Sequence, residues 1–130
     1  MNSVTNRKVV IVEDDRNCLK LYSEILPEFG FDVISSVDGQ DIENVIARER
    51  PLVAIFDLDL PVRSGQELAA AVRSHPAQPS APLWVVSASI DQRQAERHGV
   101  EGFDRAYAKP VSVRRLLSDL EALASEAGRA

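Results

Sequence analysis

The sequence predicts an α/β domain in which five parallel strands form one doubly wound sheet. Three observations carry that prediction. Four apolar, β-branched-rich segments recur along the chain: Val9 to Val12, Phe31 to Ile34, Val53 to Phe56 and Leu83 to Val86. Stretches of helical character separate them, the alternation expected of βα units and a parallel sheet. Acidic and hydroxyl side chains stand directly after the strands, with Glu13-Asp14-Asp15 after the first, Asp57 after the third and Ser87 after the fourth. Right-handed crossovers bring strand carboxyl ends to one edge, so these groups gather there despite their separation in sequence.

Taken in order, the first strand leads into a helix in which Cys18, Tyr22, Ile25 and Phe29 recur at helical spacing and are expected to line its buried face. Pro27, which lacks a donor and crowds the preceding turn, is expected to stop or kink that helix near Leu26, and Gly30 punctuates the chain before the second strand. The second helix is expected from about Gly39 to Arg48 on Ile42, Val45 and Ile46, with Asp38 as its cap. The third strand, Val53 to Phe56, reads as buried on both faces. The third helix follows Ser64 on Leu68, Ala71 and Val72, and the proline-rich His75 to Pro82 reads as the loop to the fourth strand. Asp91 to His98 is short and polar, so its helix should be weakly anchored. A fifth strand is expected at Ala106 to Ala108 from its position before Lys109-Pro110, and Val113, Leu116, Leu117, Leu120 and Ala124 give the last helix a clear stripe.

The chain of 130 residues suits one domain, with a core from about Lys8 to Ala124 and short tails. No apolar run approaches the roughly 18 residues of a membrane span. Met1 to Thr5 lacks signal-peptide character and Cys18 is the only cysteine, so a soluble cytoplasmic protein without a disulfide is expected. The net charge of −5 and scattered basic residues argue against direct nucleic-acid binding. His75 and His98 have no second ligand at metal spacing and are expected at the surface, while Cys18, Tyr22 and Trp84 read as packing residues.

The gathered edge would hold Asp14 and Asp57 as carboxylates, Ser87 as a hydroxyl and Lys109 as an ammonium. That combination suits magnesium and phosphate, because magnesium takes oxygen ligands and needs only one or two protein carboxylates when a phosphate shares it. Lys109 would neutralise a further phosphoryl oxygen, Asp57 would act as nucleophile, and Ser87 would donate to the new phosphoryl group. Taken singly each signal is weak, since adjacent acids often cap helices and a lone lysine or serine is usually a solvated or capping residue. Their joint placement gives them meaning.

These residues resemble the response-regulator receiver domain of two-component signalling, a flavodoxin-like (βα)5 fold with strand order 2-1-3-4-5. Val12-Glu13-Asp14 is similar to the family's acidic pair, Asp57-Leu58-Asp59-Leu60-Pro61 through Gly65 to its phosphoacceptor segment, Ser87-Ala88 to its hydroxyl switch, and Lys109-Pro110 to its lysine-proline pair. The resemblance runs from Lys8 to Ala124 and implies that Asp57 receives phosphate from a phosphohistidine of a sensor histidine kinase or a histidine phosphotransfer protein. It implies that Asp14, Asp57 and the Asp59 carbonyl bind Mg2+, that Glu13 orients a water on the metal, that small Ala88 keeps the phosphate entrance open, and that the Lys109-Pro110 peptide is cis. It implies a signalling domain that assists only its own phosphorylation and dephosphorylation, switching an unknown downstream protein through the face of the fourth helix, fifth strand and fifth helix. With Met1 at the start and little chain beyond the last stripe, a stand-alone domain is expected, whose outputs belong to its partners.

Two positions depart from the family pattern. Ala106 stands where receivers often carry an aromatic switch residue; Tyr107 is one residue late and faces the other side unless the strand bulges, and a lengthened loop would instead recruit Phe103. Asp59 is an acid beside the phosphoryl position and pairs, in the family's logic, with Ser89. Two other functions compete with the receiver reading. Ala54-Ile55-Phe56-Asp57-Leu58-Asp59 also resembles the nucleophile segment of haloacid-dehalogenase-like phosphatases, although Leu60-Pro61 replaces the usual glycine-threonine continuation. The third is a receiver-like interaction module whose contacts need no phosphorylation, which the alanine at position 106 motivates.

Overall fold

The computed structural model describes residues 6–127; the ends of the expected tails, Met1–Thr5 and Gly128–Ala130, lie outside them. Strands and helices alternate: β1 (Lys8–Val12), α1 (Arg16–Glu28), β2 (Asp32–Ser36), α2 (Ile42–Glu49), β3 (Val53–Asp57), α3 (Gly65–Arg73), β4 (Leu83–Ser87), α4 (Gln92–Arg97), β5 (Arg105–Ala108) and α5 (Val113–Ala127). All strand pairings are parallel, and the sheet order is β2-β1-β3-β4-β5, as expected. Every residue of the central strands β3 and β4 is buried, which explains why they read as continuous apolar runs.

Alternation along the strands divides the core between the two faces of the sheet. Val9 and Ile11 join Leu19, Tyr22, Leu26, Leu116 and Leu120 under α1 and α5. Val10 and Val12 join Ile42, Ile46, Leu68 and Val72 under α2 and α3. A third, smaller cluster of Val85, Ile90 and Ala106 lies beneath α4. That helix has six residues, none of them buried, in keeping with the weak anchoring expected of it.

Several local expectations need correction. The buried stripe of α1 is Leu19, Tyr22 and Leu26, while Phe29 is 53% exposed and Ile25 and Cys18 are only partly covered. Cys18, Leu19, Leu21, Tyr22, Ile25 and Leu26 form one broad apolar stripe, and the sheet covers its Leu19–Tyr22–Leu26 flank and not its centre. Pro27 lies inside the last turn, and α1 runs to Glu28, two residues past Leu26, before the chain leaves through Gly30 at φ 87°. Asp38 does not cap α2: its side chain accepts from the Gln40 amide in a turn, and the helix begins at Ile42, with Asp41 at the cap position. In α3, Ala69 rather than Ala71 is fully buried beside Leu68 and Val72.

Candidate functional site at the carboxyl edge of the sheet

Strand register assembles the site. Val12 pairs with Phe56, which sets Glu13 beside Asp57. Asp57 pairs with Val86 and Ser87 with Ala108, so Ser87 and Lys109 fall on the other flank. The loops continue the ladder for one step, with the Leu58 amide donating to Val86 at 2.9 Å and the Lys109 amide to Ser87 at 2.8 Å. Residues from four strand ends thus meet in one crevice, and the Lys109–Pro110 peptide is cis.

Asp57 is 4% exposed and both of its carboxylate oxygens are held. Oδ1 accepts from the Asp59 amide at 3.0 Å, and Oδ2 accepts from Lys109 Nζ at 3.0 Å. Lys109 Nζ also stands 2.7 Å from Glu13 Oε1, a charge contact outside hydrogen-bond alignment that leaves this buried oxygen without a hydrogen-bond partner. The other Glu13 oxygen accepts from the Asp15 amide at 3.3 Å. Asp15 caps α1, accepting from the Asn17 and Cys18 amides.

The crowding of charge shifts Glu13, Asp57 and Lys109. Burial, reinforced by the facing Asp57 carboxylate, pushes Glu13 up to about 7. Burial acts on Asp57 in the same direction but is outweighed by its contacts with Glu13, the Asp59 amide and Lys109, which hold it below the ordinary carboxylate range. Burial also works against the charge on Lys109, yet the Glu13 and Asp57 carboxylates keep its ammonium above its usual range. Ionised Asp57 beside a charged lysine is the outcome.

Glu13, Asp14 and Asp57 each offer a carboxylate oxygen, and these lie within 4.8 Å of one another. Three acids so close, with a single ammonium among them, fit a small divalent cation with all-oxygen ligands. Asp14 is the exposed member and faces the open side. Across the crevice, fully buried Ser87 sits in a hydrogen-bonded group with Ser89 and Asp59, and the neighbouring Ala88 is exposed.

Two further features escaped the sequence reading. Gly65 packs so tightly that a Cβ there would lie 2.8 Å from the Asp57 carbonyl oxygen and 2.9 Å from Leu58 Cα, so the absent side chain sets the spacing between α3 and the acceptor strand. Arg63 makes a bidentate pair with Glu43 at 2.8 and 2.9 Å and donates to the Gly39 carbonyl at 3.1 Å, tying the loop after β3 to the loop after β2. A glycine in the motif hinted at the first; no local pattern announces the second.

The aromatic question resolves by strand parity. Tyr107 packs against Trp84 at 5.8 Å and its hydroxyl donates to Asp119 at 2.6 Å, which commits it to the α5 side. Phe103 packs edge-on against Phe56 at 6.3 Å and joins the Val85–Ile90–Ala106 cluster beneath α4. His98 is exposed; His75 is half-buried, with Nε2 2.8 Å from Asn44 Oδ1.

Five parallel strands in this order, with acids after the first and third and a lysine after the fifth, define a response-regulator receiver, and the model of the response regulator receiver domain family matches residues 9–121. The chain belongs to that family. It is similar to the transcriptional regulatory protein GltR of Pseudomonas aeruginosa, with 34% identity over 123 residues, covering 93% of this chain and 50% of GltR. The chain therefore spans about half the length of that relative. Among solved structures, the Francisella response regulator 1452 receiver domain superposes with a TM-score of 0.78 at 23% identity, covering 93% of this chain and 98% of the other. The receiver domain of the sensor histidine kinase PA1611 from Pseudomonas aeruginosa, solved with a magnesium ion coordinated in its active site cleft, gives 0.77 at 21% identity, covering 92% and 98%. At these identities the structures show a common fold. Receiver domains are signalling domains of two-component systems, not enzymes in their own right, and they act between sensor histidine kinases and downstream targets. Among the described residues no helix is long and apolar enough to cross a membrane.

Proposed function

We propose that this receiver takes a phosphoryl group onto Asp57 from a phosphohistidine of a sensor histidine kinase or histidine phosphotransfer protein, and that the event alters partner binding at the α4–β5–α5 face. The carrying observation is Asp57 itself, a buried carboxylate at the carboxyl end of a central strand, ionised and fixed by an amide on one oxygen and an ammonium on the other. In the reaction a carboxylate oxygen attacks phosphorus, an O–P bond forms, and the N–P bond to the donor imidazole breaks with its electron pair leaving on nitrogen. Lys109, 3.0 Å from the acceptor, stays positioned to balance a phosphoryl oxygen, and the Asp59 amide keeps the carboxylate from rotating.

Asp14 and Asp57, with the Asp59 carbonyl, would hold Mg2+, and Glu13 would support it from the buried side. When bound, the ion would screen the clustered acids and offset charge on the incoming phosphoryl group. Ser87 would donate its hydroxyl to the new group, and Ala88 leaves the approach unobstructed. The response would spread through α4, whose lack of buried residues leaves it free to shift.

The interaction-module reading is favoured by one observation. Ala106 and Ala108 leave a cavity of about 90 Å³ between α4 and α5, bordered by Ala95, Val111 and Arg115, where a larger β5 side chain would otherwise pack. Incubation with acetyl phosphate and magnesium, followed by intact mass for wild type and Asp57→Asn and an assay for released phosphate, separates the functions. One adduct requiring Asp57 and magnesium supports the acceptor; rapid turnover restores the phosphatase; folded protein without adduct favours the module.

A further inference from the structure

Ser87 is fully buried and its hydroxyl is already engaged. Its oxygen accepts from the Ser89 amide at 3.0 Å, lies 2.8 Å from Ser89 Oγ, and stands 3.4 Å from Asp59 Oδ2. Ser89 Oγ is in turn 3.3 Å from the same Asp59 oxygen. The proton inventory limits these contacts. An ionised carboxylate only accepts, and each serine has one proton to give. Either Ser87 donates to Ser89 and Ser89 to Asp59, or Ser89 donates to Ser87 and Ser87 to Asp59. In both arrangements the Ser87 proton is held by this group and not by Asp57, whose own oxygens are taken by the Asp59 amide and Lys109.

We propose that Asp59 and Ser89 are positioning residues forming a latch on the Ser87 hydroxyl, so that a phosphoryl group on Asp57 must compete with them for that proton. This deepens the acceptor reading and rests on it. The latch weakens the signal of a phosphoryl group by the free energy of one exchanged hydroxyl hydrogen bond. It acts at the loop between β4 and α4, where Ser89 leads into Ile90, part of the small cluster beneath α4. Releasing Ser87 therefore frees the segment that anchors this helix.

Removing Asp59 also removes a negative charge near the phosphoryl position, and that alone tightens anion binding. The two effects separate in a cycle. Beryllofluoride with magnesium chloride, which mimics a phosphoryl group on a carboxylate, is titrated calorimetrically into five proteins: wild type, Asp59→Ala/Ser89→Ala, Ser87→Ala, the triple variant, and Asp57→Asn as control. The charge effect is common to both backgrounds and cancels. The latch predicts a gain in affinity from the paired substitution that is roughly threefold to tenfold larger when Ser87 is present, the worth of one hydroxyl hydrogen bond. Equal gains in both backgrounds, or weaker binding by the pair when Ser87 is present, overturn it. No binding by wild type, or binding that survives Asp57→Asn, removes the acceptor reading and the latch together; a normal Asp57-dependent signal with equal gains removes only the latch.

Discussion

Replacing Gly65 by alanine puts a methyl carbon 2.8 Å from the Asp57 carbonyl oxygen, 2.9 Å from Leu58 Cα and 3.4 Å from the Asp57 carbonyl carbon. All three atoms are backbone, so no side chain can rotate away. Relief requires α3 to move off the end of β3 by about 0.6–1 Å, since carbon contacts relax only near roughly 3.5 Å. The amide of Gly65 donates to the Leu58 carbonyl at 2.9 Å, and that movement stretches this bond as well. Overpacking of this kind costs about 1–3 kcal/mol, and because Gly65 is the first residue of α3 the better propensity of alanine, about 1 kcal/mol in a helix interior, returns little of it. The net expectation is a loss of about 1–2 kcal/mol in urea unfolding at unchanged slope, with a Tm lower by roughly 4–8 °C. Asp59 lies in the same turn, so the amide that fixes Asp57 shifts and the yield of Asp57 adduct with acetyl phosphate falls as well. A Gly65→Ala protein as stable as wild type would refute the argument that close backbone approach, and not turn flexibility, demands glycine here.

Three other outcomes follow from single contacts. Lys109→Met leaves Glu13 and Asp57 facing each other without their ammonium, and is expected to destabilise the metal-free protein by about 2–3 kcal/mol in denaturant titration at neutral pH, with magnesium recovering part of the loss. Glu43 is held down from its ordinary 4.5 to about 2 by the hydrogen-bonded Arg63 guanidinium. Its contribution is complete above the ordinary value and disappears as pH falls from 4.5 towards 2, so Glu43→Gln should cost about 1 kcal/mol at pH 7 and almost nothing at pH 2, as read from unfolding at both pH values. Tyr107→Phe removes the hydroxyl bonded to Asp119 and should cost about 1 kcal/mol of stability while leaving the yield of phosphoprotein unchanged, because Tyr107 faces α5; a loss of yield at equal folding would contradict that placement.

Much of this molecule can be read without coordinates, for physical reasons that also explain the misreadings. β3 and β4 are sandwiched between helices and must be apolar throughout, so Val53 to Phe56 and Leu83 to Val86 announce themselves. Glu13, Asp57 and Lys109 are legible because a parallel sheet forces its strand ends together wherever they fall in sequence. The rotation of α1 was not legible: Leu19, Leu21, Tyr22, Ile25, Leu26 and Phe29 form one stripe wider than the sheet contact, which covers only the flank of Leu19, Tyr22 and Leu26. Asp38 and Asp41 both suit a helix start, and the turn closed by the Ser36 hydroxyl on the Gly39 amide decides in favour of the later one. The Arg63–Glu43 pair joins the loop after β3 to the first turn of α2, twenty residues away in the chain, and only the tertiary fold creates it.

The most direct test of the account is to trap the acyl phosphate with borohydride after exposure to acetyl phosphate and magnesium, and then to map the reduced residue by peptide mass spectrometry. Reduction confined to Asp57, and absent when magnesium is withheld, is the predicted result. Reduction at Asp14, Asp59 or any other residue, or at Asp57 without magnesium, would contradict the assignment of the acceptor and its metal.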